Sequence, residues 1–291
     1  MTTLPTLTPA CNAANLATAG LGYRAKRAKS AMVLNSGSRG YRLLTPGNPK
    51  TEKGRGLGYW TFIMHFAPAK LSGFNVCPMA TDGCKRACLN TAGRGGIMQG
   101  GLLTYEQVKG GRRNQIQSAR RLRTRAFFEH REAFMNELAR EIAKAVREAK
   151  RDGYVPVFRL NGTSDIRWET IPVAGFPNIF ALFSDVQFYD YTKIPNRRNI
   201  PANYHLTFSL ADGNDSFARI AIANGMNVAA VFRSKETVAR YMESGIDIGG
   251  THVPVARGDD TDLRFLDEAR HVIGLYAKGQ AKSDRSGFVR D

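Results

Sequence analysis

Short apolar segments separated by longer, more polar stretches run through most of the chain. The segment from Trp60 to Phe66 is aromatic or β-branched and apolar on both faces of an extended backbone, which is typical of a buried strand. Similar segments recur at Val155–Leu160, Val186–Tyr191, Tyr204–Leu210, Asn227–Phe232, Gly250–Val255 and Arg270–Tyr276. The connections between them are long enough for crossovers, so the pattern predicts a parallel sheet.

Helical periodicity is clearest between the first two of these strands. An apolar residue returns at every third or fourth position, as it does along one face of a helix: Phe134, Leu138, Ile142, Ala145 and Ala149. Further helices are predicted over residues 104–125, 215–224 and 235–244. The first of these is strongly basic.

The order of these elements predicts an α/β fold with two parts. Residues 59–291 are expected to form a partial α/β barrel of about six parallel strands, because the count falls short of a full eight-stranded barrel. Residues 1–58 are expected to be a basic, largely irregular extension that packs on the barrel or flanks it. This stretch is rich in proline, glycine and cationic residues.

The charge is large and one-sided. The chain carries 42 Lys and Arg against 25 Asp and Glu, a net charge of +17. All of the excess lies in residues 1–126, because residues 127–291 hold equal numbers of basic and acidic side chains. A basic region of this kind favours an anionic partner, and we expect a nucleic acid or nucleotide. A protein that is merely basic is the alternative.

Several classes of protein are disfavoured by the composition. No run of eighteen apolar residues exists, so no membrane span is expected. The first twenty residues lack a basic start followed by an apolar run, so no signal peptide is predicted. Four cysteines in 291 residues do not make a disulfide scaffold, and a reducing cytoplasm, that of the host cell for a phage-encoded protein, fits better. The sequence leaves the oligomeric state open.

Three cysteines follow the first strand within twelve residues, in the pattern C-x6-C-x3-C. Cys77, Cys84 and Cys88 suit one soft metal centre, since thiolates prefer zinc or iron–sulfur clusters. With three ligands, a [4Fe–4S] cluster keeps one iron open to a substrate or cofactor. With Cys11 or another residue as a fourth ligand, the site is a closed cluster or a structural zinc site. Free thiols are the remaining alternative.

Polar side chains come where the predicted strands end, which is where chemistry gathers in parallel α/β proteins. Asp165, Asp190 and Lys193 are the candidate catalytic residues, the two aspartates for acid–base work and the lysine as an anion anchor. The candidate cofactor-binding residues are Asn161, Ser164, Ser209 and Arg233. Ordinary turn and helix-capping chemistry is the alternative for each residue taken alone.

Two families share features with this chain. The cysteine loop after the first strand distantly resembles the radical S-adenosylmethionine enzymes, which implies a [4Fe–4S] cluster in a partial barrel and S-adenosylmethionine as a possible cofactor. A closer resemblance is to bacteriophage proteins of the "gene product eighty-eight" type. It rests on the three cysteines, Arg120 and Arg123 in an Arg-rich helix, and the segments from Arg159 to Asp165 and from Phe188 to Lys193. This second resemblance implies a phage origin and a cysteine-bound metal.

Three functional hypotheses follow. The first is a phage-type iron–sulfur protein, radical-SAM-like, that acts on a nucleotide or nucleic acid. The second is a non-enzymatic nucleic-acid-binding protein with a structural zinc or closed iron–sulfur site. The third is a redox or scaffold protein with a closed cluster, for which Cys11 is as important as Cys84.

Overall fold

The structure is a computed structural model, and it describes residues 38–48 and 51–291. The predictions made for Cys11 and for the basic arm before residue 38 lie outside the described residues.

The described residues contain thirteen strands and eight α-helices. The strands are β1 (Leu44–Thr45), β2 (Tyr59–Met64), β3 (Ile97–Met98), β4 (Gly101–Leu102), β5 (Val155–Arg159), β6 (Gln187–Thr192), β7 (Tyr204–Ser209), β8 (Val228–Phe232), β9 (Ile246–Ile248), β10 (Thr251–Val253), β11 (Val255–Arg257), β12 (Val272–Tyr276) and β13 (Val289–Arg290). The helices are α1 (Glu52–Arg55), α2 (Asp82–Arg86), α3 (Tyr105–Lys109), α4 (Gln115–Glu129), α5 (Arg131–Arg151), α6 (Ile179–Leu182), α7 (Asp215–Ala223) and α8 (Lys235–Ser244).

A largely parallel sheet forms the centre of this mixed α/β fold. Its strand order is β1-β2-β5-β6-β7-β8-β12-β11, with β13 also paired to β8. Every pairing in the sheet is parallel except that of β1 with β2. The predicted α/β class is therefore confirmed, and six of the predicted strands correspond to β2, β5, β6, β7, β8 and β12.

The single strand predicted over Gly250–Val255 is wrong. The chain instead forms β10, which pairs antiparallel with β9, and then β11, which joins the central sheet beside β12. Pro254 separates the two strands. Because proline has no amide hydrogen to donate to a ladder, it is a natural point for the chain to leave one sheet and enter another.

The single basic helix predicted over residues 104–125 is also wrong. Two helices, α3 and α4, replace it, with Gly110 and Gly111 between them. Gly111 has a φ of +105°, which the helical backbone does not allow. Each helix has its own cap, because the side chains of Thr104 and Asn114 accept hydrogen bonds from the amides of Gln107 and Gln117.

One face of the sheet is aromatic and carries the main core. Phe62, Phe158, Phe188 and Tyr204 are register neighbours on β2, β5, β6 and β7, so their rings form a row across four strands. Adjacent phenylalanine rings in this row lie 5.4 and 5.5 Å apart. The apolar face of α5 belongs to the same core, and the five residues that predicted it are all completely buried. This confirms the periodicity seen in the sequence.

The opposite face of β5, β6 and β7 is more polar. Tyr189 on β6 lies against Phe265, with ring centroids 5.4 Å apart, and the Arg159 guanidinium donates to Asp262 Oδ2 at 2.6 Å. The segment that includes Arg264–Leu266 contacts both β6 and β7. This face is therefore covered by a loop with buried charges, and not by a helix.

Candidate functional site at the cysteine loop

The carboxyl ends of four neighbouring strands meet at one edge of the sheet. Because β2, β5, β6 and β7 are adjacent and parallel, the segments that follow them lie side by side. These segments are the cysteine loop (residues 77–88), the Asn161–Asp165 segment, Lys193 and the residues around Asp212. The edge therefore gathers most of the side chains singled out in the sequence.

The middle of the cysteine loop is fixed by a short helix and by a carboxylate from another strand end. Thr81 caps α2 and accepts a hydrogen bond from the Cys84 amide at 3.1 Å. Asp212, after β7, in turn accepts hydrogen bonds from the Thr81 hydroxyl and from the Gly83 amide. A Cβ on Gly83 would lie 2.5 Å from Asp212 Oδ1 and closer still to Ser286 Oγ, so this approach requires glycine.

Backbone groups hold two of the three sulfur atoms. Cys77 Sγ accepts a hydrogen bond from the Ala69 amide at 3.3 Å, and its thiol lies 3.8 Å from the Thr163 carbonyl oxygen. Cys88 Sγ accepts from the Asn90 amide at 3.5 Å. These contacts orient the two sulfurs, and amide donors of this kind stabilise a thiolate.

The three thiols share one electrostatic environment. Burial raises the pKa of the Cys77 thiol, and the neighbouring Cys88 and Cys84 thiols raise it further. Burial likewise raises the pKa of the Cys88 thiol to about 11. The cations Arg120 and Lys193 lie close enough to oppose that shift. Negative charge on the sulfurs would therefore have two cations nearby.

Arg120 anchors the chain that follows Cys88. It is buried in α4, and one guanidinium nitrogen donates to the Asn90 carbonyl at 2.8 Å and to Asn90 Oδ1 at 2.7 Å. Arg123, three positions later on the same helix, donates to the carbonyls of Arg42 and His65. These two arginines of the basic helix are thus internal structural groups, whereas Arg125 is exposed.

Asp165, Lys193 and Ser209 form a hydrogen-bonded group beside the thiols. Asp165 Oδ2 accepts from the Lys193 amide at 2.8 Å, and Lys193 Nζ donates to Ser209 Oγ at 2.6 Å. The Asp165 amide donates to the Val76 carbonyl, which precedes Cys77. Burial raises the pKa of Asp165. Three of the sequence candidates therefore come together next to the cysteine loop.

Asn161 is buried and bonds to both Ser164, which is half-buried, and Asp190. Asn161 Oδ1 accepts from Ser164 Oγ at 2.8 Å and from Trp168 Nε1 at 3.1 Å. Asp190 is fully buried and accepts from the Asn161 amide at 2.9 Å and the Tyr204 hydroxyl at 3.1 Å. Burial raises the pKa of Asp190 to about 7. These groups fix the shape of the loop after β5.

Arg233, the remaining candidate, binds the end of the chain. Its Nε donates to Asp291 Oδ1 at 2.7 Å, and a terminal nitrogen donates to the Asp284 carbonyl at 3.1 Å. Its guanidinium is used to hold the segment that carries β13 beside β8.

Sequence reasoning missed two groups of this site. Asp212 carries no motif, and only its hydrogen bonds to the cysteine loop reveal its role. Asn90 follows Cys88 by two positions, but nothing in the sequence shows that it contacts Gln117 as well as Arg120.

Two classes of feature are absent from residues 38–48 and 51–291. No group of three or more His, Cys, Asp or Glu side chains there is gathered so that it could hold a metal ion. Within the same ranges, no helix has the length and apolar character needed to cross a membrane.

The comparisons with known proteins give one result. No curated protein and no solved structure matches the chain. A family model described as gene product 88 matches residues 38–291, which is well over half of the sequence. This match confirms the closer of the two resemblances inferred from the sequence, and the chain belongs to the gene product 88 family.

Proposed function

We propose that Cys77, Cys84 and Cys88 bind an iron–sulfur cluster at the carboxyl edge of the sheet, and that the protein acts on a nucleotide or nucleic acid. The observation that carries this proposal is the shared environment of the three thiols, with two backbone amides aimed at sulfur and two cations beside Cys88. Amide–sulfur hydrogen bonds and local charge are the means by which proteins tune such clusters.

The described side chains form no group of three or more that is gathered to hold a metal ion. The case for a cluster therefore rests on chemistry: three thiolates within one loop suit an iron–sulfur cluster or zinc. Cys84 and Cys88 both raise the pKa of the Cys77 thiol, so the three thiols share one electrostatic environment. Metal analysis distinguishes the cluster from zinc.

With Cys77, Cys84 and Cys88 as its ligands, a cluster would keep one iron open to S-adenosylmethionine or to a Lewis-basic substrate atom. Around it, the chain supplies its own groups. Lys193 and Arg120 balance negative charge on the sulfurs. Asp165 and Ser209 hold Lys193 by its amide and its ammonium group respectively. Asn161, Ser164 and Asp190 position the loop that carries Asp165, and Arg233 holds the C-terminal segment.

The proposal includes the finer architecture expected from the sequence. From β2 to β8 the strands are neighbours in chain order, as in a partial α/β barrel, and the more polar side of β5–β7 corresponds to the inside of that barrel. A cytoplasmic, reducing location in the host cell suits a cluster with an open iron.

The experiment is anaerobic purification followed by iron and sulfide analysis and EPR of the reduced protein with and without S-adenosylmethionine. The proposal requires about four irons per chain in the wild type, loss of iron in Cys84→Ala, and retention of iron in Cys11→Ala. Equal iron loss in both variants would favour the closed cluster. One zinc per chain, or protein that stays colourless after reconstitution, contradicts the proposal.

A second candidate function is nucleic-acid binding without catalysis, and the surface next to the cysteine loop favours it. Exposed cations on this surface are Arg86, Arg94, Arg112 and Arg113. Large apolar side chains are exposed among them, namely Leu89, Ile97, Leu102 and Leu122. Cations interleaved with apolar groups can contact both phosphates and bases.

A further inference from the structure

A small hairpin lies on the surface near the cysteine loop. It consists of β3 and β4, with Gln99 and Gly100 at its turn, and its two strands form a sheet of their own. Ile97 and Leu102 are register partners, so their side chains lie next to each other on one face of the hairpin. They are 58% and 59% exposed. The hairpin therefore presents an adjacent pair of large apolar side chains to solvent.

The base of the hairpin is attached to the start of α4. The Asn114 side-chain nitrogen lies 2.9 to 3.2 Å from the carbonyl oxygens of Arg94, Gly95 and Ile97. Gln117 Nε2 also donates to the Gly95 carbonyl, at 2.7 Å. Two side chains of one helix thus hold the segment that enters β3, and they fix where the apolar pair is presented.

Three arginines lie beside this apolar pair. Arg94 is in the segment that leads into β3, and Arg112 and Arg113 directly precede Asn114, which contacts the hairpin. All three are exposed. Within the described ranges, none of them forms an ion pair with a carboxylate. The surface therefore carries positive charge that the protein itself does not neutralise.

The same surface continues to the cysteine loop. Leu89 directly follows Cys88, is exposed, and begins a single turn of helix over Leu89–Thr91. That turn contacts the next one, Gly93–Gly95, which carries Arg94. A polymer that lies along the hairpin would therefore have the thiols close to one end of its path.

The charge and the apolar pair together indicate the class of partner. Unneutralised cations suit a polyanion, and they disfavour a second copy of this surface, because like charges would face each other. Apolar side chains suit the faces of nucleic-acid bases, which a duplex keeps stacked and can expose only at a cost in free energy. A single strand offers phosphates and base faces together.

We propose that the β3–β4 hairpin and the three arginines beside it bind single-stranded nucleic acid, with bases against the apolar pair and phosphates against the guanidinium groups. This inference rests on the nucleic-acid part of the proposed function, and it specifies the substrate as a single strand. It also assigns a role to the apolar side chains, which the net charge of the chain does not explain.

The test measures binding of the full chain to a fluorescent oligothymidylate of about 16 nucleotides, enough to cover one site. Oligothymidylate is chosen because it forms no secondary structure. The same strand annealed to oligoadenylate is the duplex probe, and vesicles that contain phosphatidylserine are the probe for an anionic lipid surface. Titrations are repeated across salt concentrations, and iron content and urea unfolding are measured on the same samples.

The variants separate apolar from ionic contacts. Ile97→Thr combined with Leu102→Gln removes the apolar pair, and Arg94→Gln removes one cation. Leu57→Gln is the matched control, because Leu57 is 56% exposed and precedes β2 at the opposite, amino edge of the sheet. All of these side chains are exposed, so each variant should unfold at the wild-type urea concentration.

The expected results differ for the two kinds of contact. Wild type and Leu57→Gln should bind the single strand about tenfold more tightly than the duplex, or better. The double variant should bind the single strand about tenfold more weakly at every salt concentration, with an unchanged slope of log affinity against log salt, because no phosphate contact is lost. Arg94→Gln should instead lower that slope by about 0.7.

Three results would overturn the proposal. The first is a duplex bound as tightly as the single strand, and the second is a double variant that binds like wild type; both leave nucleic-acid binding itself in place. The third is binding to the vesicles alone, abolished by the double substitution. Absence of binding to either nucleic acid would overturn the nucleic-acid part of the proposed function as well, whereas the iron content tests the cluster separately.

Discussion

The Thr81 hydroxyl donates a hydrogen bond to Asp212 Oδ1, and through this contact the end of β7 holds the helix that carries Cys84. The second carboxylate oxygen of Asp212 accepts from the Gly83 amide at 3.2 Å. One side chain from a distant strand therefore fixes both the capping residue and the first turn of α2. Asp212 therefore holds the part of the loop that carries Cys84.

Replacing Asp212 with alanine is expected to loosen the cysteine loop. Hydrogen bonds to a charged acceptor contribute about 1.5–3 kcal/mol each, so Asp212→Ala should lower the free energy of unfolding by about 2 kcal/mol or more. Cys84 should also become more reactive toward an alkylating agent in the folded protein. Urea unfolding and the rate of alkylation check the two effects.

The control for this prediction is Asp82→Asn on the same helix. Asp82 is exposed and pairs with Lys85 within α2, at 2.9 Å, and exposed pairs of this kind contribute less than about 1 kcal/mol. Equal destabilisation by Asp212→Ala and Asp82→Asn would contradict the role assigned to Asp212.

The arginines around the cysteine loop should separate into two groups in nucleic-acid binding. Arg112 and Arg113 are exposed, so replacing both with alanine should lower the slope of log affinity against log salt by about 1.4, at about 0.7 for each phosphate of a single strand that is no longer neutralised. Affinity for single-stranded DNA, measured across salt concentrations, gives the slope. An unchanged slope would argue against this surface.

Arg120 is expected to behave differently, because its charge is used inside the protein. Its two hydrogen bonds to Asn90 hold the chain after Cys88. Without Arg120 the Asn90 carbonyl keeps its bond from Gln117 Nε2, but Asn90 Oδ1 loses its donor, and a buried acceptor left unpaired costs about 1–3 kcal/mol. Arg120→Ala should therefore lower the stability while the protein that remains folded keeps the wild-type salt slope.

That contrast marks the limit of what the sequence could reveal. Composition identified a basic stretch at residues 109–125, but the sequence alone does not show that Arg120 is buried and Arg125 exposed. Whether an arginine points inward depends on which carbonyls the fold places next to it. Arg120 meets Asn90 and Arg123 meets the carbonyls of Arg42 and His65 only once the sheet has formed.

The local sequence pattern predicted secondary structure correctly where the residues of a single helix or strand determine its conformation. The spacing from Phe134 to Ala149 predicted α5, and six apolar segments predicted six strands of the sheet. The pairing of Lys193 with Ser209 followed from the expectation that strand ends meet at one edge. Pattern failed where a single backbone property dominates, as at Pro254 and at Gly110–Gly111. The local sequence pattern also gave no information on contacts between distant segments, such as the contact of Asp212 with the cysteine loop.

His65 should make the protein less stable in mild acid. Burial, together with the nearby Arg120 and other guanidinium groups, holds the pKa of His65 well below its usual value. The unfolded chain therefore takes up a proton below about pH 6.5 that the folded chain does not, and the free energy of unfolding falls as the pH drops through this range. His65→Gln should lack this contribution.

The measurement is the difference in unfolding free energy between His65→Gln and wild type from pH 8 to pH 5. At pH 8 the imidazole is neutral in both states, so the difference there gives the structural effect of the substitution alone. The difference should then shift in favour of the variant below about pH 6.5. A variant-to-wild-type comparison is needed because Asp190, with its raised pKa of about 7, changes stability in the opposite direction over part of this range. A constant difference would contradict the prediction.

Glu141 on α5 should be essential for attaching the first described segment of the chain to the core. Its carboxylate accepts hydrogen bonds from the amides of Arg42, Leu43 and Leu44, at 2.5 to 3.2 Å. These amides directly precede or begin β1, whose register with β2 places Leu44 beside Met64. Glu141→Ala would leave buried donors unpaired, so we expect the free energy of unfolding to fall by about 3 kcal/mol. Amide hydrogen exchange should speed up first at residues 42–44.

The control is Glu137→Ala, one turn earlier on the same helix. It removes a carboxylate that pairs with the side chains of Arg140 and Arg42. This substitution should lower the free energy of unfolding by less than about 1 kcal/mol and leave hydrogen exchange at the amides of residues 42–44 unchanged. Equal effects of the two substitutions would show that charge on α5, and not capture of the three amides, holds β1 in place.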